Sequence, residues 1–139
     1  MIVMHHNPDC GTSRNVLAFI RASGTEPVVI HYLDTGWTRP QLLGLFAAAD
    51  LTPRAALRET KSPAKEMGLM DPGVDGETIL TAMLEHPILV NRPIVCSPRG
   101  VRLCRPSETV FDLLPSLPAG PVYKEDGAFV IDAAGQRMA

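Results

Sequence analysis

Apolar positions change their period several times along the chain, and each change marks an element. "MIVMH" is a short apolar run ending in polar residues and predicts a first strand. From Gly11 to Ser23 the period is helical: Val16, Leu17 and Ile20 share one face, and Gly24 follows as a natural C-cap. "PVVIHYL", Pro27 to Leu33, is rich in β-branched residues and predicts a second strand. Thr38 then stands as an N-cap with Gln41 three residues on, a capping box ahead of the stripe Leu42, Leu43 and Phe46. The order β-α-β-α favours a parallel strand pair joined by a right-handed crossover.

The middle of the chain reads differently. "LTPRAALRET" predicts a short helix after Thr52 and Pro53, and "KSPAKEMGLMDPGVDG" is broken by prolines and glycines. Asp75 caps a helix through His86 with Ile79, Leu80, Met83 and Leu84 inward, and Pro87 ends it. "PIVCS" and "VRLC" flank "PRG", which predicts a hairpin turning at Pro98 to Gly100. Lys124 to Met138 reads as an amphipathic helix. The predicted order is β-α-β-α-α-β-β-α. With no repeat, low-complexity tract or linker, residues 1–139 are expected to form one domain.

Composition then narrows the function. Hydrophobic residues are 45% of the chain and charged ones 20%, which excludes disorder, and the net charge is −2. Positive residues are scattered, so no nucleic-acid surface is expected. No apolar run approaches the ~20 residues of a membrane span, nor is there a secretory signal, so a cytoplasmic protein is expected. A monomer is the default, because no long apolar helix is left over. Ten of the 13 lysines and arginines are arginine, whose planar fork suits oxyanions, although a GC-rich genome would give the same bias.

The candidate chemistry lies in "HHNPDCGTSRN". The three cysteines, 10, 96 and 104, fit no disulfide scaffold and contain no CxxC. His5 and His6 could be drawn around a metal with Cys10, but adjacent residues of an extended chain point to opposite faces, so no metal is expected. Cys10 falls where the first helix begins, and the unpaired amides and positive helix end there favour a thiolate. The same amides can receive an anion, with Gly11 allowing close approach and Thr12, Ser13 and Arg14 adding donors. A small buried cysteine without chemical consequence would also fit the position; the polar neighbourhood argues against it. Cys96 and Cys104 read as inward strand residues, Cys104 facing opposite to Val101 and Leu103.

"HNPDCGTSRNVLAFIRASGTEPVVIHYL", with "ALRET", "HPILVNRPIV" and "RLCRPSE" downstream, closely resembles the glutaredoxin-coupled arsenate reductases of the thioredoxin-fold type. The resemblance runs over nearly the whole chain in consistent order. It implies an α/β thioredoxin-like fold: a mixed central sheet flanked by helices, with a helical insertion before the C-terminal hairpin. It also implies that Cys10 is the nucleophile, that His6 helps keep its thiolate available, and that Arg58, Arg92 and Arg105 surround the oxyanion. Pro93 corresponds to the cis proline beside the active cysteine. Serine at position 13 precludes a Cys-x-x-Cys disulfide, so the implied electron source is glutathione, as co-substrate, with glutaredoxin. No bound cofactor is implied.

Three rivals bear on this expectation. A regulatory relative of the same fold would bind another protein, such as RNA polymerase, through a redox cysteine pair, and Ser13 counts against it. A glutathione-linked reductase of another substrate would use the same pocket. A phosphatase-like arsenate reductase needs a Cys-x5-Arg loop, but position 16 is Val16.

Overall fold

The computed structural model describes residues 1–138. Strand β1 (Val3–His5) leads through a loop into helix α1 (Gly11–Ala22), and β2 (Val28–Ile30) returns alongside. A single helical turn, α2 (Tyr32–Thr35), precedes α3 (Arg39–Ala49) and, after a run of turns, α4 (Gly76–Glu85). Strands β3 (Ile94–Ser97) and β4 (Gly100–Leu103) form a hairpin, and β5 (Val122–Tyr123) and β6 (Phe129–Ile131) form another. The main sheet has the order β2-β1-β3-β4, with β1 parallel to β2 and antiparallel to β3. This is the mixed sheet of a thioredoxin-like α/β fold, and α1 makes the expected crossover.

Pleating sorts the core to two sides of the sheet. Ile94, with α3, α4 and the turn segment, builds one cluster around Phe46, Leu80 and Met83. Met4, Val95 and Cys104 face the other, with Val16, Phe19 and Ile20 of α1 and Phe111. Phe19 stacks on Phe111 at 5.1 Å between centroids. Cys104 is buried inward as expected, although it lies one residue past the end of β4, whereas Cys96 is a strand residue but only half-buried. The helix starts follow the sequence closely. Thr38 and Gln41 make the reciprocal capping box, and Asp75 Oδ1 accepts from the Thr78 amide at 2.8 Å.

Four expectations need correction. The second strand stops at Ile30, so Tyr32 and Leu33 belong to a helical turn and not to the sheet. Leu43 and Leu84 leave the core stripes: Leu43 is exposed and Leu84 only partly buried. "LTPRAALRET" forms turns and not a helix, because its backbone pairs elsewhere. Leu57 bridges Val90, the Arg58 amide donates to Leu89 O at 2.8 Å, and the Asn91 amide donates to Ala56 O at 2.7 Å. Long-range pairing has overridden local helix propensity. Two 3-10 segments, Pro87–Leu89 and Ser107–Leu113, were also absent from the pattern.

Lys124 to Met138 is not a helix either. Its turn chemistry wins: Asp126 Oδ1 accepts from the Ala128 amide, Asp132 Oδ1 from the Ala134 and Gln136 amides, and Gly127 sits at φ 89°. The hairpin lies so close to the chain before it that a Cβ at Gly120 would collide with Asp132 O.

His5, at the end of β1, is buried against Trp37 with Nδ1 lacking a protein partner. Burial pushes its pKa down to about 4. The unfolded chain takes up that proton near the ordinary histidine value of about 6.5. Stability from this group is therefore complete above about 6.5 and is lost as pH falls towards 4, by up to about 3 kcal/mol. Urea unfolding at pH 7 and pH 4.5 checks this: the loss on acidification is expected to be smaller in His5→Phe than in wild type.

Candidate active site

Strand β1 and helix α1 meet in a five-residue corner, and Cys10 is the N-cap residue of the helix, with extended backbone angles. Its thiol is nearly buried. Cys10 makes no capping hydrogen bond with its side chain, so the sulfur is left for other partners. Arg105 Nη1 approaches Sγ to 3.8 Å. Burial by itself pushes the Cys10 thiol up; the Ser13 amide, the charge and side chain of Arg92, and the Thr12 amide oppose it. The net direction is downward, towards thiolate.

The arginines reach this corner from three separate segments. Antiparallel register pairs Ile94 with Leu103, and continuing the ladder by two residues sets Arg92 opposite Arg105. Arg105 Nη1 donates to Arg92 O at 3.2 Å, and the Arg92–Pro93 peptide is cis. Arg58 follows the Leu57–Val90 bridge, so its segment runs beside the one that ends in Arg92. Together the three line an open cavity of about 320 Å³ with Arg54, Thr60 and Asn91. Cys10 adjoins this cavity through Arg105.

Charge balance divides the arginines into two groups. Arg14, Arg21, Arg39, Arg102 and Arg137 each pair with a carboxylate. Among the described residues Arg58, Arg92 and Arg105 do not, nor do Arg99 and Arg54, whose Nη2 donates to the Asp71 and Val74 carbonyls. Arg58 Nε donates to Thr60 O at 3.0 Å and Arg92 Nη1 to Asn91 Oδ1 at 3.2 Å. Those acceptors are neutral, so neither bond cancels the charge of its guanidinium; Glu59 also lines the cavity but makes no ion pair with the three among the described residues. Burial and the like charges of Arg92 and Arg105 push the Arg58 pKa down, with Tyr32 and Cys10 opposing. A group of this design holds anions.

The other expected residues divide. Thr12 and Ser13 present amides to the sulfur, as the helix mouth requires. Ser13 is fully buried, and its hydroxyl accepts from the Asn7 amide at 3.1 Å and meets His6 Nδ1 at 2.8 Å. His6 thus touches Ser13 and makes no hydrogen bond to Cys10. Burial, then His31, Arg21 and Arg14, hold its pKa below the ordinary value, so it is neutral near pH 7. Its link to the thiolate is positional, through Ser13, and not an ion pair.

Arg14 does not join the anion cluster. Its guanidinium is clamped on Glu125 of the second hairpin, Nε to Oε1 at 2.7 Å and Nη2 to Oε2 at 3.1 Å, and Nη1 donates to Pro8 O. The sequence reading missed this because it made the tail a helix. A Cβ at Gly11 would meet Arg14 and Glu125 at an ordinary 3.7 Å, so packing does not demand glycine there. Asn91, Arg54 and Thr60 were also missed; their flanking motifs point to Arg58 and Arg92 and say nothing about neighbours. Cys104 stays in the core, its thiol pushed up to about 12 by burial. No three His, Cys, Asp or Glu side chains converge as a metal site among the described residues, and no helix is long and apolar enough to cross a membrane.

The ArsC family matches the chain over residues 5–113. This protein belongs to the ArsC family. It is 66% identical over 138 residues to arsenate reductase ArsI2 of Synechocystis sp., spanning 99% of each chain. The arsenate reductase of Escherichia coli (strain K12) is 50% identical over 137 residues, 99% of this chain and 97% of the relative. Among solved structures, an arsenate reductase from Vibrio cholerae superposes with a TM-score of 0.76 at 37% identity, covering 81% of this chain and 97% of that one. The ArsC match ends at residue 113, so the hairpin carrying Glu125 lies beyond it.

In this ArsC-family chain, Cys10 should react with iodoacetamide along a pH profile whose midpoint lies below that of an ordinary thiol, about 8.5. Arg92→Ala removes a charge that favours the thiolate, so its midpoint should move up, and Arg92→Lys should recover part of the shift. Cys104 should stay unmodified until the chain is unfolded. Mass-resolved alkylation rates between pH 5 and pH 10 test all three outcomes.

Proposed function

We propose that this chain reduces arsenate to arsenite, with Cys10 as nucleophile and glutathione as the thiol co-substrate. The carrying observation is the set of three arginines without carboxylate partners beside a thiol held towards thiolate. Arsenate is a tetrahedral oxyanion that a thiolate repels. Arg58, Arg92 and Arg105, with the Thr12 and Ser13 amides, would offset that repulsion and stabilise charge as the bond forms. The close relatives named arsenate reductase support the choice of oxyanion.

In this reading the Cys10 thiolate attacks arsenic, a sulfur–arsenic bond forms, and one arsenate oxygen leaves as water after protonation. Glutathione adds to arsenic and displaces a second oxygen as water. The two sulfurs then join as a Cys10–glutathione disulfide, the sulfur–arsenic bonds break, and their electron pair reduces arsenic(V) to arsenic(III), released as arsenite. Glutaredoxin resolves the mixed disulfide by thiol exchange and restores Cys10. Ser13, where a second thiol would stand, is buried and hydrogen-bonded to His6 and Asn7, which disfavours the redox-pair regulator. The protein would act in the cytoplasm, as a single domain.

The test is arsenate-dependent NADPH oxidation coupled through glutathione reductase, with glutathione and glutaredoxin present. Cys10→Ser should abolish turnover. Arg58→Ala, Arg92→Ala and Arg105→Ala should each lower kcat/KM by about tenfold to a hundredfold, the worth of one hydrogen bond to a charged group. Folded, reduced wild type without arsenate-dependent turnover would sink the reading.

A further inference from the structure

Tyr32 adjoins the charged groups of the site, and no motif singled it out. It lies two residues past the end of β2, where Ile30 pairs with His5 and Ile30 O accepts the His6 amide at 2.8 Å. That position brings it to the corner from which the Cys10 loop departs. Its ring is 1% exposed and stacks on Trp37 at 4.9 Å, which fixes its orientation. Its hydroxyl is buried and has no hydrogen-bond partner in the protein. The Asn7 side chain lies close enough to oppose the rise in the phenol pKa but makes no well-formed hydrogen bond to the hydroxyl; its oxygen accepts the Asp9 amide at 2.9 Å.

A second buried donor shares this condition. Arg92 Nε is buried without an acceptor, although Nη1 of the same guanidinium holds Asn91. Buried donors without acceptors each cost free energy, so two in one corner call for a common explanation. The charged groups that Tyr32 feels are Arg92, Arg58 and Cys10, the same groups that frame the anion cavity.

We propose that the Tyr32 hydroxyl and Arg92 Nε donate together to the tetrahedral oxyanion that reacts at Cys10, which makes Tyr32 a further substrate-binding residue. This rests on the reading of the cavity as an oxyanion site. Burial, chiefly, pushes the phenol up to about 12, so it stays protonated at neutral pH and can donate. A phenol adds a donor without adding charge. It strengthens anion binding where a further guanidinium would increase repulsion among those already present. It also selects: a protonated tetrahedral oxyanion can return a hydrogen bond, and a spherical halide cannot.

Tyr32→Phe tests the proposal, because it deletes only the hydroxyl and keeps the ring on Trp37. Without anion, the variant should melt at or slightly above the wild-type temperature, since an unpartnered buried hydroxyl stabilises nothing. Arsenate binding is measured by calorimetry in Cys10→Ser and in Cys10→Ser/Tyr32→Phe, where no chemistry can occur. Affinity should fall about tenfold to a hundredfold in the double variant. In the Cys10-containing protein, Tyr32→Phe should lower kcat/KM for arsenate with the KM for glutathione unchanged. Equal arsenate affinity with and without the hydroxyl would overturn the proposal, as would a drop in melting temperature in anion-free Tyr32→Phe. If wild type binds arsenate but does not reduce it, the functional reading fails while the binding comparison still decides the role of Tyr32.

Discussion

Arg58, Arg92 and Arg105 line one small cavity with Arg54 and Glu59, and none of the three is paired with a carboxylate; the geometry of the site follows from that constraint. Unpaired charge is costly where it is buried, as at Arg58 and Arg92, and less so at Arg105, which is exposed. The fold offsets part of this with neutral acceptors: Thr60 O on Arg58, Asn91 Oδ1 on Arg92, and Arg92 O on Arg105. These oxygens hold each fork in place and leave its charge uncancelled. The result is an electropositive recess whose natural complement is an anion.

The same constraint explains the condition of Cys10. In an apolar pocket a nearly buried thiol would stay protonated, as Cys104 does in the core. Cys10 is less deeply hidden and stands at a helix mouth beside Arg92 and Arg105, so its charged form is favoured. Two cysteines of one chain thus differ in reactivity through surroundings alone. His6 contributes by holding Ser13, whose amide faces the sulfur, and being neutral it adds no charge of its own.

The second hairpin has a different part in this balance. Glu125 brings a carboxylate to the edge of the helix mouth, where it would repel an anion if free. Its bidentate pair with Arg14 cancels both charges and ties the hairpin to α1, with the Glu125 amide on Asn15 Oδ1 as a further tether. The pair is exposed, so it adds little to stability. Its consequence for the site is larger: Arg14, which the local sequence offers to the oxyanion, is committed elsewhere.

Local patterns were enough for α1, α3 and α4, for their caps at Thr38 and Asp75, and for the β3–β4 hairpin, because periodicity and capping act within a few residues. The same locality put Cys10 at a helix start. Motif resemblance picked Arg58, Arg92 and Arg105 out of ten arginines, which periodicity could not do. Tertiary structure decided everything that depends on pairing across the chain. The Leu57–Val90 bridge turned an expected helix into the segment that delivers Arg58, hairpin register set Arg92 against Arg105, and the early end of β2 left Tyr32 beside them. Glu125 removed Arg14 from the cluster in the same way. A side chain's type is written in the sequence, but its charge partner is fixed only when distant segments pack, and in this site the partners determine the chemistry.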